Sequence, residues 1–275
     1  MKGYLEINDF KLSNIITDYG YKYWVGADVS SSTKPINKLW LGLDKTTITT
    51  LDYTGAMIAP QSNESRGLSV DNTNSPILTL GSSDALVSQK FTCPDIPVEL
   101  IGTPFYEFGL SPDNNKLVSY SLLTDRDKKT IFGSLVKNDI KYYIDIKIPF
   151  LKNTVEVSLL NSEVSTTYNM ETTYKGLNQT SNLYRPLSLR LKTSNGGVVT
   201  YIDNVPLSLF DEVSKEATWD ITLKYSDIKL SETFFILLET SIGDFEIKLF
   251  NILDKKYLFP QTNGKDLTIP FKLVL

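Results

Sequence analysis

Strict alternation of apolar and polar side chains constrains this chain more than any other feature. From Ile140, the residues Ile140, Tyr142, Ile144, Ile146, Ile148 and Phe150 fall on one side of an extended backbone. Lys141, Tyr143, Asp145, Lys147 and Pro149 fall on the other. A period of two is the signature of a strand with one buried and one wetted face. The same pattern returns in Val155, Val157 and Leu159, in Leu187, Leu189 and Leu191, and in Trp219, Ile221, Leu223 and Tyr225. It returns again in Phe245, Ile247 and Leu249, and in Leu267, Ile269, Phe271, Leu273 and Leu275. Half-buried strands of this kind predict an all-β protein of antiparallel β-sandwich domains, jelly-roll or Ig-like, with little helix.

The punctuation between these runs is turn chemistry. Ser111-Pro112-Asp113-Asn114-Asn115 separates two apolar runs, Asn195-Gly196-Gly197 reads as a hairpin, and Gln261-Thr262-Asn263-Gly264-Lys265 precedes the last strand. Helical spacing is scarce; a short turn of helix is expected only near Leu209-Phe210-Asp211-Glu212-Val213. Residues 54 to 84 are rich in Ser, Asn, Thr, Gly and Pro and read as long surface loops that could serve as a contact surface. A boundary is expected after Phe150. The resulting division is an N-terminal arm or edge strand over 1–38, a sandwich over 39–150 and a second sandwich over 151–275. Lys34-Pro35-Ile36 supports an extended course at the end of the arm, because the residue before a proline is pushed away from helix.

Composition removes whole classes of chemistry. The 275 residues contain no histidine and one cysteine, Cys93. Ser-His-Asp and Cys-His nucleophile systems, histidine bases and the usual zinc ligand sets are therefore excluded, as is an intrachain disulfide. A formal charge of −4 provides no field to hold a polyanion, so nucleic-acid binding is not expected. No run of 18 apolar residues occurs, and Met1-Lys2-Gly3-Tyr4-Leu5-Glu6 lacks the apolar core of a signal peptide. Neither membrane insertion nor secretion is expected.

The remaining constellations have ordinary readings. Asp125-Arg126-Asp127-Lys128-Lys129 spaces its carboxylates like a calcium loop, but it lacks the central Gly and distal Glu and interleaves its own cations. Glu99, Glu107 and Glu239 lie in or beside apolar strands, where a wetted-face role is simpler than paired-carboxylate hydrolysis. Gly42-Leu43-Asp44-Lys45-Thr46 lacks the spacing of a phosphate loop. No catalytic, cofactor or metal residue follows from the sequence.

Aromatics offer the better candidates. Tyr19, Tyr21, Tyr23 and Trp24 crowd the N-terminal region, and the three tyrosines share one face if the backbone is extended. Three readings stay open: packing against a sheet, docking of another subunit, and a stacking platform for sugar. Tyr and Trp are enriched in interface cores, so Tyr19, Tyr21, Tyr23, Trp24 and Trp40 are the candidate interface residues.

Residues 39 to 148 contain an ordered set of strand motifs. Leu39-Trp40-Leu41-Gly42 comes first, then Phe105-Tyr106-Glu107-Phe108-Gly109-Leu110, then Leu117-Val118-Ser119-Tyr120-Ser121-Leu122-Leu123. Thr124-Asp125 and the basic residues after them would form a hairpin, and Asp139-Ile140-Lys141-Tyr142 would open a long strand. This series resembles the attachment domains of bacteriophage tail, fibre and appendage proteins. Those proteins usually carry Arg-Ala where Tyr120-Ser121 stand, and most continue into a repetitive shaft that is missing here. The resemblance implies a compact adaptor in a tail, baseplate, neck or capsid appendage. It would be made in the host cytoplasm, carried in the virion without a cofactor, and joined to other virion proteins as a homo-oligomer. A module binding host glycan or receptor is the alternative, and a carboxylate-based polysaccharide hydrolase is a third.

Overall fold

The structure, a computed structural model, describes residues 1–7, 10–27, 35–42, 66–69, 77–81, 84–92, 98, 104–105, 107–112, 116–122, 133–134, 141–149, 152–158, 165–176, 189–195, 198–202, 205–223, 234–240, 243–251 and 267–275. Among these residues the chain is all-β, with a single short helix. It divides into two compact units. The first comprises Met1–Ile77, Leu86–Lys147 and Asn182–Pro186; the second comprises Leu78–Ala85, Ile148–Ser181 and Leu187–Leu275.

Among the described residues eleven strands precede Phe150. They are β1 (Lys2–Ile7), β2 (Phe10–Ile16), β3 (Lys38–Gly42), β4 (Arg66–Ser69), β5 (Ile77–Leu80), β6 (Asp84–Thr92), β7 (Pro104–Phe105), β8 (Glu107–Ser111), β9 (Ser119–Leu122), β10 (Gly133–Ser134) and β11 (Lys141–Pro149). Nine of them form one sheet in the order β4-β3-β8-β9-β2-β1-β11-β6-β5, and β7 pairs with β10. Strand β2 changes partner along its length. Gly3 to Ile7 pair with Asn14 to Phe10, whereas Ile15 and Ile16 pair with Tyr120 and Ser119 of β9. The expected N-terminal arm is therefore corrected: β1 lies between β2 and β11, inside the sheet. Alternation in Gly3-Tyr4-Leu5-Glu6 explains why, since Gly3 and Leu5 are buried while Tyr4 and Glu6 are half-buried.

Directly after β2 comes helix α1 (Asp18–Val25). Thr17 is extended at φ −75° and ψ 162°, and its hydroxyl accepts from the Gly20 N–H at 2.9 Å, an N-cap. Gly26 closes the helix at φ 72°, donating to the Tyr23 carbonyl while Ala27 donates to that of Lys22. This is the Schellman pattern, and the left-handed geometry favours glycine. An extended reading of Tyr19, Tyr21 and Tyr23 is thus also corrected. Period two and a helical i, i+4 spacing both join Tyr19 to Tyr23, and the caps decide for helix.

The second unit contains β12 (Lys152–Ser158), β13 (Ser165–Gly176), β14 (Leu189–Asn195), β15 (Val198–Ile202), β16 (Leu209–Asp211), β17 (Glu216–Leu223), β18 (Phe234–Thr240), β19 (Gly243–Asn251) and β20 (Leu267–Val274). They form a six-stranded sheet, β12-β13-β19-β18-β14-β15, and a three-stranded sheet, β16-β17-β20. Inward-facing Ala217, Trp219, Ile221, Ile269, Phe271 and Leu273 come from the small sheet, and Leu238, Phe245 and Ile247 from the large one. Aromatic rings join the two layers. Tyr174 meets Phe245 at 5.1 Å, Phe245 meets Phe271 at 5.3 Å, and Phe271 meets Trp219 at 5.9 Å. The first two contacts are edge-on and the third is tilted; edge-on pairs add about 1 kcal/mol each to the burial of the rings. The result is a sandwich, as the alternation implies.

Two local expectations change. Leu209–Asp211 is strand β16, not a helical turn, and it returns through residues 212–215 into β17 with Asp211 opposite Glu216. The Asp211 carboxylate accepts from the Val213 and Ser214 N–H groups, and Lys215 takes φ 57°. An aspartate favours this local turn over helix because its short side chain can satisfy nearby backbone donors. Within 54–84, residues Arg66–Ser69 and Ile77–Leu80 are strands, not loop. Cys93, the Asp125-Arg126-Asp127 segment and Glu99 lie outside the described residues.

Candidate functional site

Helix α1 takes most of the aromatic candidates out of reach. Tyr23 and Trp24 are fully buried, and Tyr19 nearly so. Tyr23 meets Trp24 edge-on at 5.5 Å, and the helix lies so close to the chain at Val118 that a Cβ on Gly20 would fall 2.0 Å from the Val118 carbonyl oxygen. These rings are core, and the folded chain offers none of the three as a docking surface. Tyr21 is half-buried on the other side of the helix. Trp40 is also half-buried; its indole N–H donates to the Ser111 hydroxyl at 2.7 Å, and its register partner is Gly109 of β8.

Among the described residues four of the six exposed large apolar side chains, Ile77, Leu80, Leu209 and Val274, lie on terminal strands. Strand β5 ends the nine-stranded sheet, with Ile77 56% and Leu80 64% exposed. Strand β16 ends the three-stranded sheet, with Leu209 63% exposed, and Val213 in its turn is 92% exposed. The turn is firmly built: the Asp211 carboxylate caps it, the Leu275 N–H donates to the Lys215 carbonyl at 3.1 Å, and the Ser208 N–H donates to Thr218 at 2.9 Å. A terminal strand presents unpaired backbone donors and acceptors, and self-contained proteins blunt such edges with charge, proline or bulges. Ile77-Leu78-Thr79-Leu80 contains none of these.

A second feature covers the wetted face of β2, β1, β11 and β6. Tyr4 pairs with Tyr143 across β1 and β11, and their rings stack at 4.4 Å and 15°. Lys11 covers the Tyr4 ring, its ammonium 3.5 Å from the centroid. Tyr143 donates its hydroxyl to Glu6 at 3.4 Å, and Ser88 donates to Asp145 at 2.5 Å. Burial, then the Glu6 and Tyr4 neighbours and the Glu6 hydrogen bond, push the Tyr143 phenol up to about 12. Tyr4 is raised as well, by burial and then by Asp145 and Glu6. Both phenols therefore remain neutral at physiological pH. Tyr4 is held between Tyr143 and Lys11, so a ligand ring could stack on it only by displacing one of them. Alternation alone places Tyr143 with Lys141, Asp145 and Lys147 on the wetted face. The pairing that brings Tyr4 onto Tyr143 links residues too far apart for any local pattern to reveal.

Three carboxylates of the second unit are answered by cations. Glu239 on β18 lies opposite Arg190 on β14 at 3.9 Å, Lys175 reaches Glu246 at 3.2 Å, and Lys272 reaches Glu216 at 2.8 Å. Such partly exposed pairs typically contribute between zero and about 1 kcal/mol each and describe a solvated face. Among the described residues, no group of three or more Cys, Asp or Glu could hold a metal, and no helix is long and apolar enough to cross a membrane. Comparison with protein-family models, with curated proteins and with solved structures finds no match.

Proposed function

We propose that this chain is a non-catalytic structural component of a bacteriophage particle, one that joins other virion proteins in a multimer through its sheet edges. The observation that carries the assembly part is the exposure of Leu209 on β16 and of Ile77 and Leu80 on β5, all on terminal strands. Pairing a neighbour's strand there would satisfy the edge backbone and cover the apolar side chains together. The placement in a phage particle rests on the motif series between Leu39 and Ile148. A glycan-binding alternative would use Trp24 or Trp40 as a stacking platform; the Trp24 ring is in the core, whereas Trp40 is half-buried with its indole N–H on Ser111.

The test is quantitative mass spectrometry of purified particles from a phage that encodes this chain. We expect a fixed copy number in the particle, a multiple of its ring or spike symmetry. A chain found only in the infected-cell lysate, and absent from washed particles, would remove the proposal.

A further inference from the structure

Charge on this chain is segregated. Strand alternation and register place Lys2, Lys11, Lys90, Lys141 and Lys147 on the wetted face of β2, β1, β11 and β6, around the stacked Tyr4 and Tyr143. Among the described residues Glu6, Asp145 and Asp84 oppose them there, so the face carries +2. Removing that +2 from the formal −4 of the chain leaves −6 on the remainder.

The hairpin β16–β17 has the opposite character. Asp211, Glu212 and Asp220 are exposed on or beside it, and Leu209 and Val213 add exposed apolar surface. Glu216 is already held by Lys272, which leaves Lys215 as the one cation of the turn against these acids. The turn is fixed by its own hydrogen bonds, so presenting Val213 costs little ordering entropy on contact.

We propose that the basic, tyrosine-centred face of one copy receives the acidic β16–β17 hairpin of a second copy, forming a head-to-tail contact. The inference rests on the assembly reading above and names its partner. Charge complementarity favours a second copy as occupant, because the chain itself carries the acidic surface that the face would attract. An aromatic centre with charged residues around it is the common anatomy of an interface. Two different surfaces in contact make a heterologous interface, which closes into a ring or extends as a filament.

Sedimentation velocity of the full chain, with circular dichroism as a check on folding, tests this. Lys2→Glu with Lys147→Glu reverses two charges of the face; Glu212→Lys with Asp220→Lys reverses two of the hairpin and leaves the Asp211 cap in place. We expect each double variant to remain folded and lose the multimer boundary, and an equimolar mixture of the two to regain it. We also expect the wild-type multimer to dissociate as salt rises from about 0.1 M to about 1 M, where the screening length falls from about 10 to about 3 Å. A multimer that ignores both salt and charge reversal would overturn this contact while leaving edge pairing intact. A double variant whose loss the mixture does not repair would overturn it too. A wild-type chain that is monomeric throughout would overturn the assembly reading itself.

Discussion

The Thr17 hydroxyl donates to the Leu117 carbonyl, a contact between residues a hundred positions apart, while the same oxygen accepts from the Gly20 N–H. One side chain thus starts the helix and fastens it to the strand region before β9. Thr17→Val keeps the shape but removes both bonds. A lost N-cap costs about 1 kcal/mol, and an unsatisfied carbonyl adds a comparable amount. We expect Thr17→Val to lower unfolding stability by about 2 kcal/mol, with Thr17→Ser restoring most of it, as read from urea denaturation midpoints.

Trp24 separates core from interface most sharply. It is fully buried, so Trp24→Ala should destabilise the monomer by about 3–5 kcal/mol, the usual cost of deleting a buried aromatic ring. Its loss should appear in thermal unfolding of the isolated chain. A Trp24→Ala protein of unchanged stability that had lost only subunit binding would return the ring to the surface.

These two residues also mark the limit of what the sequence discloses. Strand content is legible because alternation in segments such as Trp219 to Leu223 records burial directly. The helix is missed because Tyr19, Tyr21 and Tyr23 satisfy period two. The deciding signals, Thr17 before Asp18 and Gly26 after Val25, are two single residues. Edge position is illegible for a different reason. Leu209 and Leu238 are both leucines in strands, and only the sheet order makes one exposed and the other buried. Long-range pairing decides that order, and no local pattern encodes it.

Gly243 supports a tight turn in the second unit. It sits at φ +127°, and a Cβ there would fall 2.3 Å from the Tyr174 hydroxyl and 2.5 Å from the Gly176 carbonyl. Backbone strain and overlap act together, so Gly243→Ala should cost about 3 kcal/mol or more. Differential scanning calorimetry should show the lower transition.

Tyr143 gives a pH test. Its folded pKa is raised to about 12 from an unfolded value near 10, so the folded state holds the proton more tightly. The resulting stability is fully present below pH of about 10 and is lost as pH rises toward about 12. Following phenolate absorbance, we expect Tyr143 to titrate late together with Tyr4 and Tyr174, and the Tyr143 component to move to lower pH in Glu6→Gln while that of Tyr174 stays, because the charge beside Tyr143 is gone.

Completion of the open sheet edges by neighbouring subunits is most directly tested with one variant carrying Ile77→Lys, Leu80→Lys and Leu209→Lys. Charged side chains on a terminal strand oppose strand pairing without entering the core. In sedimentation velocity the wild-type chain should run as a multimer of defined size and the variant as a monomer, with the same β-sheet circular dichroism. A wild-type chain that stays monomeric at every concentration, or a variant that assembles as well as wild type, would contradict it.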